Sequence, residues 1–571
     1  MKLIFSYFAP FKRRMALGLS IKISATLIEL LIPFILSYIL KNVVGSQSVT
    51  KILLFGLIMI VCAFLACVFN IIANRMAADV SSKFAEQIRR DLFKRTLYLS
   101  AAQTDKFTIP SLESRITTDT YHVLNFVNIM QRMGIRAPIL IVGGVGIALI
   151  MDARLALVMI AIMPLIFVSV YFLSRRGVPL YTKVQSATDD MVRVVREDSQ
   201  GIRVIKALSK NEFENERFDE KNLALVKAER RAGIIMGAVN PIMTFLMNGG
   251  IAAVTLLSAF LVTDGVSDPE TVIAFMQYFT LISMAMMAVS RIFLNYTKCA
   301  ASARRIAEVL KTPIDMEKIE SEKVDTDDYI RFENVDFSYN GKHKHLSNID
   351  FSLKKGESLG IIGATGSGKS TLIKLLFRFY DVTGGRITID GRDVRSYGDA
   401  ELSRLFGVAL QNDFLYAASI EENIRFGRSL TFEEISEAAR TAQAEDFILA
   451  FNDGYEHELS QKGTNISGGQ KQRLLIARAI AEKPDIVVFD DSSSALDYKT
   501  DAALREALSG FLSNSTVITV TQRVSSIKHC NLILVLENGE IIDKGNHEYL
   551  MENSSVYREI SNSQMGGAFV E

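Results

Sequence analysis

Six apolar runs of membrane-spanning length crowd into the first 300 residues, at 15–40, 52–76, 127–151, 155–173, 233–262 and 272–293. Each is near or above the ~20 residues that a helix needs to cross a hydrocarbon core. In lipid every backbone N–H and C=O must be satisfied within the segment, so such runs are expected as helices. The 49% hydrophobic content and mean hydropathy of +0.21 agree with a large membrane portion beside a soluble one. The connections alternate. Those at 41–51, 152–154 and 263–270 are short, whereas 77–126 and 174–232 are long, polar and rich in base, including Lys83, Arg89, Arg90, Arg175, Arg176, Arg230 and Arg231. The excess of positive charge predicts that the long segments and both termini are cytoplasmic. The long segments read as stalks whose turns, near 108–118 and 197–210, reach a cytoplasmic domain. The first 14 residues read as a short amphipathic helix on the membrane surface, ending in Lys12, Arg13 and Arg14, rather than a cleavable signal.

Past residue 311 the pattern changes. A charged, acidic stretch at 312–328 reads as a linker, and from 329 to 571 short apolar runs alternate with glycine turns, as in a soluble α/β domain. Here lies GATGSGKST at 363–371, which fits G-x-x-x-x-G-K-[ST] between a strand-like run and a helix-like run, the context that motif requires. Glycines let the backbone wrap phosphate oxygens, and a helix start favours negative charge. Gly363, Thr365, Gly366, Ser367, Gly368 and Thr371 are expected to cradle phosphates, Lys369 to contact the β and γ phosphates, and Ser370 to hold Mg²⁺. The run IVVFD ends in Asp490, an acid suited to the same cation. ISGGQ opens an amphipathic helix, so Ser467, Gly468, Gly469 and Gln470 form a second phosphate-binding helix start.

This ordered set resembles the ATP-binding-cassette (ABC) family, and the whole chain is similar to a half-transporter of its exporter-fold branch. The resemblance implies a membrane all-α six-helix exporter-type domain (1–311) followed by a cytoplasmic α/β P-loop ATPase domain (329–571), with ATP and Mg²⁺ as cofactors. It implies that Tyr339, in FSY, stacks on adenine, and that Gln411, in ALQND, contacts Mg²⁺ and faces the stalk turns. SALD at 494–497 matches the family's D-loop and includes Asp497. The resemblance also implies a dimer, each ATP lying between one chain's P-loop and the other's signature, the ISGGQ segment here.

Two positions depart from the family pattern. After Asp490 the family usually carries a Glu as general base, and this chain has Asp491, one methylene shorter. The switch position, usually His, is Gln522, which can hydrogen-bond a γ-phosphate but cannot become cationic near neutral pH. Milder is Ser460–Gln461, where many exporters carry a Glu before the signature. Asp491, Gln522 and Gln411 are the residues at catalytic positions. The combination resembles the degenerate-site chain of heterodimeric bacterial multidrug exporters. It implies a partner half-transporter with consensus Glu and His, to whose active site this chain lends Ser467, Gly468 and Gly469. A homodimer with a slow Asp-driven site, a siderophore-type importer and an ATP-gated channel-like protein stay open as alternatives.

Polar residues within the apolar runs are the pointers to a transport cavity. Lys22 is expected to snorkel to the cytoplasmic surface rather than pair with Glu29. Glu29 is a cavity candidate, Arg132 and Arg136, just before Pro138, are expected to face either a cavity or outer-leaflet headgroups, and Asn240 and Asn248 read as helix–helix contacts. Met276, Met284, Met286 and Met287, with Phe275 and Phe279, offer either packing or an adaptable wall for amphipathic drugs, lipids or peptides. The cysteines Cys62, Cys67, Cys299 and Cys530 show no metal-ligand spacing. A net charge of +1 gives no footprint for nucleic acid. A bacterial plasma membrane is the expected setting.

Overall fold

The apolar runs do form helices, and several continue far beyond the length a bilayer needs. The computed structural model describes residues 6–44, 48–263, 269–411, 413–492 and 495–565. In chain order the first helices are α1 (Lys12–Tyr38), α2 (Val49–Leu97), the short α3 (Ala101–Phe107), the run α4 (Ile109–Met151), α5 (Ala153–Ala207), α6 (Asn211–Gly237), α7 (Val239–Thr263) and α8 (Pro269–Lys311). The chain divides into two units, Met1–Leu97 with Ile109–Thr312, and Tyr98–Thr108 with Pro313–Glu571.

In the first unit, five helical runs among the described residues are long and apolar enough to cross a membrane: Ala9–Val43, Val49–Leu97, Ile109–Met151, Asn211–Leu261 and Thr271–Lys311. The apolar part of α5, Ala153–Ser169, is shorter. Large apolar side chains on α2 face outward, Leu53, Ile60 and Phe64 each being about two-thirds exposed. Such a surface is stable only against lipid or another protein. Inside, Phe275 and Phe279 pack with Met159, Val254 and Ile282, so these two aromatics serve the interhelical core. Asn248 instead lines an open groove of about 740 Å³ with Thr244 and Phe245 on α7. The side chain of Asn240 lies outside the described residues.

Polar contacts fix the helices where apolar packing gives no register. Glu29 accepts from Arg136 at 2.6 and 3.3 Å, joining α1 to α4. Lys22 does not snorkel. It is only 4% exposed and donates to the side-chain oxygens of Asn70 at 2.6 Å and Asn74 at 3.2 Å, one turn apart on α2. Two amide dipoles replace the water that the ammonium gives up, which makes burial tolerable. The expected consequence is asymmetric. Asn70→Leu strands a buried cation and lowers the thermal midpoint more than Lys22→Met, which removes the charge with its need. The chain has no Trp, so a size-exclusion thermal-shift assay suits the comparison. Equal midpoints for the two variants would overturn the account.

The N-terminal stretch has partners of its own on α2. Phe8 stacks on Phe84 with ring centroids 4.4 Å apart, and the Tyr7 hydroxyl donates to Asp91 at 2.7 Å, so aromatic contacts pin it to α2. Further along α4, a wide helical turn at Arg115–Asp119 buries Asp119 completely. Asp119 accepts from Arg305 Nε at 2.7 Å and from Ser302 Oγ at 2.8 Å on α8. Arg115 returns a bond to the Arg305 carbonyl at 3.1 Å and pairs with Glu308 at 3.0 Å.

The second unit contains two sheets. Strands β1 (Ile330–Phe337), β2 (Leu346–Leu353), β4 (Gly384–Ile389) and β5 (Arg392–Asp393) form an antiparallel sheet in the order β2-β1-β4-β5. The other sheet runs β10-β9-β3-β8-β7-β6, with β3 (Ser358–Gly363), β6 (Phe406–Ala409), β7 (Ile486–Asp490), β8 (Thr516–Val520) and β9 (Leu532–Glu537) parallel, and β10 (Glu540–Gly545) antiparallel at one edge. Every residue of β7 is buried, as expected for a central parallel strand covered on both faces. Helix α3 belongs to this unit. Gln103 donates to the Pro313 carbonyl at 2.7 Å, Ser100 to Asp315 at 2.9 Å, and the Tyr380 hydroxyl to Asp105 at 2.5 Å.

Candidate functional site

In open α/β sheets, ligands bind beyond the carboxyl ends of the parallel strands. β3 lies centrally between β8 and β9, and its carboxyl end leads into the glycine-rich loop. Gly366 and Gly368 have φ of 86° and 103°, backbone conformations that side chains disfavour, so glycine suits this tight loop. The chain then enters α9 (Lys369–Leu376).

A cleft of about 410 Å³ opens at this point, lined by Thr365, Gly366, Gly368, Lys369, Ser370, Thr371, Gln411, Asp490, Asp491 and Gln522. The strand ends explain the assembly. Asp490 closes β7, Asp491 follows it, and Gln522 lies two residues past β8. Gly363 sits at the base, where a Cβ would fall 2.2 Å from the Leu536 carbonyl oxygen, so only glycine fits. Lys369 Nζ donates to the carbonyls of Gly363 and Ala364 at 2.8 Å each, which leaves one of its three donors for a phosphate. Ser367 Oγ is buried and finds no hydrogen-bond partner among the described residues. An orphaned hydroxyl inside a phosphate-shaped loop fits a ligand that brings acceptors.

The electrostatics fit a bound cation. Burial pushes Asp490 above its ordinary pKa, opposed by the hydrogen bond from Ser370 and the nearby Lys369 charge. Burial raises Asp491 as well, opposed by Arg523 and by Gln411. Lys369 is pushed below its ordinary value by burial, against the pull of both acids. Gln411 Nε2 reaches Asp491 Oδ2 at 3.2 Å. Ser370 and Asp490 line the cleft together with Gln411, a donor set that would hold a small hard cation. Asp491 has φ 48° and its N–H is held by the Val520 carbonyl at 2.8 Å, a conformation that Asp accepts more readily than most residues.

Tyr339 stands at the rim. Its hydroxyl lies 3.3 Å from Thr371 Oγ1, and its ring meets Phe337, His345 and Tyr380 edge-on, with centroids 4.7 to 5.0 Å apart. These contacts and Lys374, whose Nζ stands 5.8 Å over the ring, hold Tyr339 at the rim, where it is still 40% exposed.

The signature residues are elsewhere. Ser467 caps α10 (Gly468–Ile480), accepting from Gln470 N at 3.2 Å while Gln470 Oε1 accepts from Ser467 N at 2.9 Å. Ser467 and Gly468 are exposed, and neither they, Gly469 nor Gln470 line the cleft. Asp497 caps α11 (Tyr498–Phe511), and its hydrogen bonds from Thr500 hold its carboxyl below the ordinary value. Ser494 lies outside the described residues. One chain therefore gathers the P-loop, Gln411, the two acids and Gln522, and leaves the signature facing outward.

Sequence reasoning passed over Lys344, His345, Asn538 and Gly539, which also line the cleft. They arrive on the β1–β2 and β9–β10 turns, whose tie is the Ser347 N–H bonded to the Gly539 carbonyl at 2.9 Å. The available signal was His345 placed six residues after Tyr339, at the start of the next strand.

Comparison with known proteins agrees with this layout. Residues 15–286 match the family model for the ABC transporter transmembrane region, and residues 346–494 match the one for ABC transporter. An uncharacterized ABC transporter ATP-binding protein of Mycobacterium tuberculosis is 31% identical over 100% of this chain and 99% of its own length. The uncharacterized ABC transporter ATP-binding protein YfiB of Bacillus subtilis is 32% identical over 98% of each chain. Among solved structures, a bacterial Atm1-family ABC exporter with ATP bound superposes with a TM-score of 0.84, at 22% identity, over 97% of this chain and 100% of that one. That likeness establishes an exporter-type fold.

Proposed function

The chain belongs to the ABC transporter family as a multi-pass membrane protein, and from that premise we propose that it is one half of an ATP-driven exporter of amphipathic compounds, pairing with a different half-transporter. On this reading residues 1–311 form a six-span transmembrane domain, 312–328 the linker and 329–571 the ATPase domain, with both termini on the cytoplasmic side of a bacterial plasma membrane. The outward-facing apolar surface of α2 and the base-rich long connections support it.

The cleft's own composition carries the proposal for the ATP site. Lys369, Ser370 and Asp490 converge as a complete binding set, while Asp491 and Gln522 occupy the two positions that would drive hydrolysis. Ser370 and Asp490, with Gln411, would hold Mg²⁺, which would neutralise charge on the phosphates. Lys369 and the loop N–H groups orient the γ-phosphate. Asp491 is one methylene too short to place its carboxylate on the attacking water, and its tie to Gln411 holds it back. Gln522 gives the γ-phosphate a neutral hydrogen bond in place of a charged one, which is roughly half as strong. This chain's P-loop thus binds ATP and turns it over poorly. Its exposed Ser467 and Gly468, with the half-buried Gly469 and Gln470, complete the partner's hydrolytic site, where dipole and N–H groups at the start of α10 meet the phosphate.

ATP hydrolysis by this chain alone in lipid nanodiscs, with Lys369→Ala as background, tests the reading. ATP binding with turnover at the Lys369→Ala level is the expected result. Robust turnover that depends on Lys369 overturns it and makes Asp491 a sufficient base in a homodimer.

A further inference from the structure

Gln564 holds the backbone just past the switch residue, on either side of Arg523. Its Nε2 donates to the Gln522 carbonyl oxygen at 2.6 Å, and its Oε1 accepts from the Val524 N–H at 2.9 Å. A single side-chain amide thereby supplies the donor and acceptor that an adjacent strand would otherwise give this backbone. Gln564 stands on α13 (Ser555–Met565), the last helix described. That helix is firmly seated. Tyr557 is fully buried with its hydroxyl 2.8 Å from His547 Nδ1, and it packs with Leu550, Val524 and Ile527, the last two on α12 (Val524–Ile527).

The switch loop has two moorings. Upstream, the Thr521 N–H is held by the Ile361 carbonyl of β3 at 3.1 Å. Downstream, Gln564 fixes the backbone on either side of Arg523. The Gln522 side chain lies between them, exposed and lining the nucleotide cleft. A cationic histidine at this position is drawn to a phosphate by its charge. A neutral amide has no such pull, so its contact depends on backbone placement made in advance.

We propose that Gln564 is a positioning residue that holds Gln522 at the γ-phosphate end of the cleft, making α13 part of the apparatus that distinguishes ATP from ADP. The inference rests on reading Gln522 as the γ-phosphate contact. ADP lacks that phosphate, so a loss confined to ATP separates positioning from general loosening of the fold.

The test is equilibrium binding of radiolabelled ATP and ADP, each with Mg²⁺, to the full chain in nanodiscs. Gln522→Ala weakens ATP binding and leaves ADP binding unchanged. Gln564→Ala weakens ATP binding by about two- to tenfold, the range of one or two lost neutral hydrogen bonds, and also spares ADP. Gln564→Glu keeps the acceptor for Val524 but sets a carboxylate against the Gln522 carbonyl, so it loses at least as much. In a Gln522→Ala background, Gln564→Ala adds nothing. Equal weakening of ATP and ADP by Gln564→Ala, or none at all, overturns the inference while the role of Gln522 stands. If Gln522→Ala leaves the ratio of ATP to ADP affinity unchanged, the reading of Gln522 falls and the inference with it.

Discussion

Asp491→Glu combined with Gln522→His is expected to raise ATP turnover by the chain reconstituted alone by about a hundredfold, within the range that a well-placed general base supplies. The added methylene advances the carboxylate by ~1.5 Å, about one C–C bond, toward the water. The surrounding site is already built. Lys369, Ser370 and Asp490 line the cleft, and the backbone at residue 491 is held by the Val520 carbonyl. Gln522→His alone is expected to change little, since it adds a phosphate contact without a base. The measurement is steady-state phosphate release in nanodiscs for both single variants and the double. A double variant no faster than the parent would show that the defect lies elsewhere, Ser460–Gln461 before the signature being the next place to look.

The second large effect concerns folding. Asp119→Ala is expected to destabilise the first unit by about 3 kcal/mol, the low end for breaking a buried ion pair. The carboxylate is fully buried and serves Arg305 and Ser302 together. Arg305 is half exposed, 51% of its side chain reaching solvent, so water recovers part of the loss. Asp119→Asn keeps the shape and one acceptor and should fall about midway. Adding Arg305→Leu to Asp119→Ala should restore much of the stability, because an apolar pair leaves no uncompensated charge. Thermal midpoints and the yield of monodisperse protein report all three. A midpoint for Asp119→Ala equal to that of the parent would overturn the assigned role.

These two sites differ in how legible they were. The nucleotide cleft was readable because its parts are local: GATGSGKST and IVVFD each carry their chemistry within a few residues, and strand periodicity places them. What joins distant segments was not. The wide turn at Arg115–Asp119 follows from contacts with Ser302 and Arg305, nearly two hundred residues away, and nothing in RITTD itself asks for it. Lys22 looked like a snorkelling lysine because its partners, Asn70 and Asn74, lie on another helix and carry no charge to advertise the pairing. Lys344, His345 and Asn538 reach the cleft only once β1–β2 and β9–β10 turns are brought together. Gln564 sits in a segment with no motif at all. Apolar periodicity fixes faces and lengths, whereas polar cross-links are settled by which faces meet.

Helix α3 has a consequence for how the protein is made. The ATPase unit includes Tyr98–Thr108, yet the rest of that unit begins only at Pro313. The ribosome therefore delivers α3 about 200 residues, or roughly 10–40 s, before the body it belongs to. A helix of 7 residues has no stability of its own in water. Its partners Asp315 and Tyr380 are synthesised only later, so the contacts that order it are not available when it emerges. A fragment starting at Pro313 would fold with that place vacant, and a synthetic peptide spanning residues 98–108, added in trans, would be the missing piece.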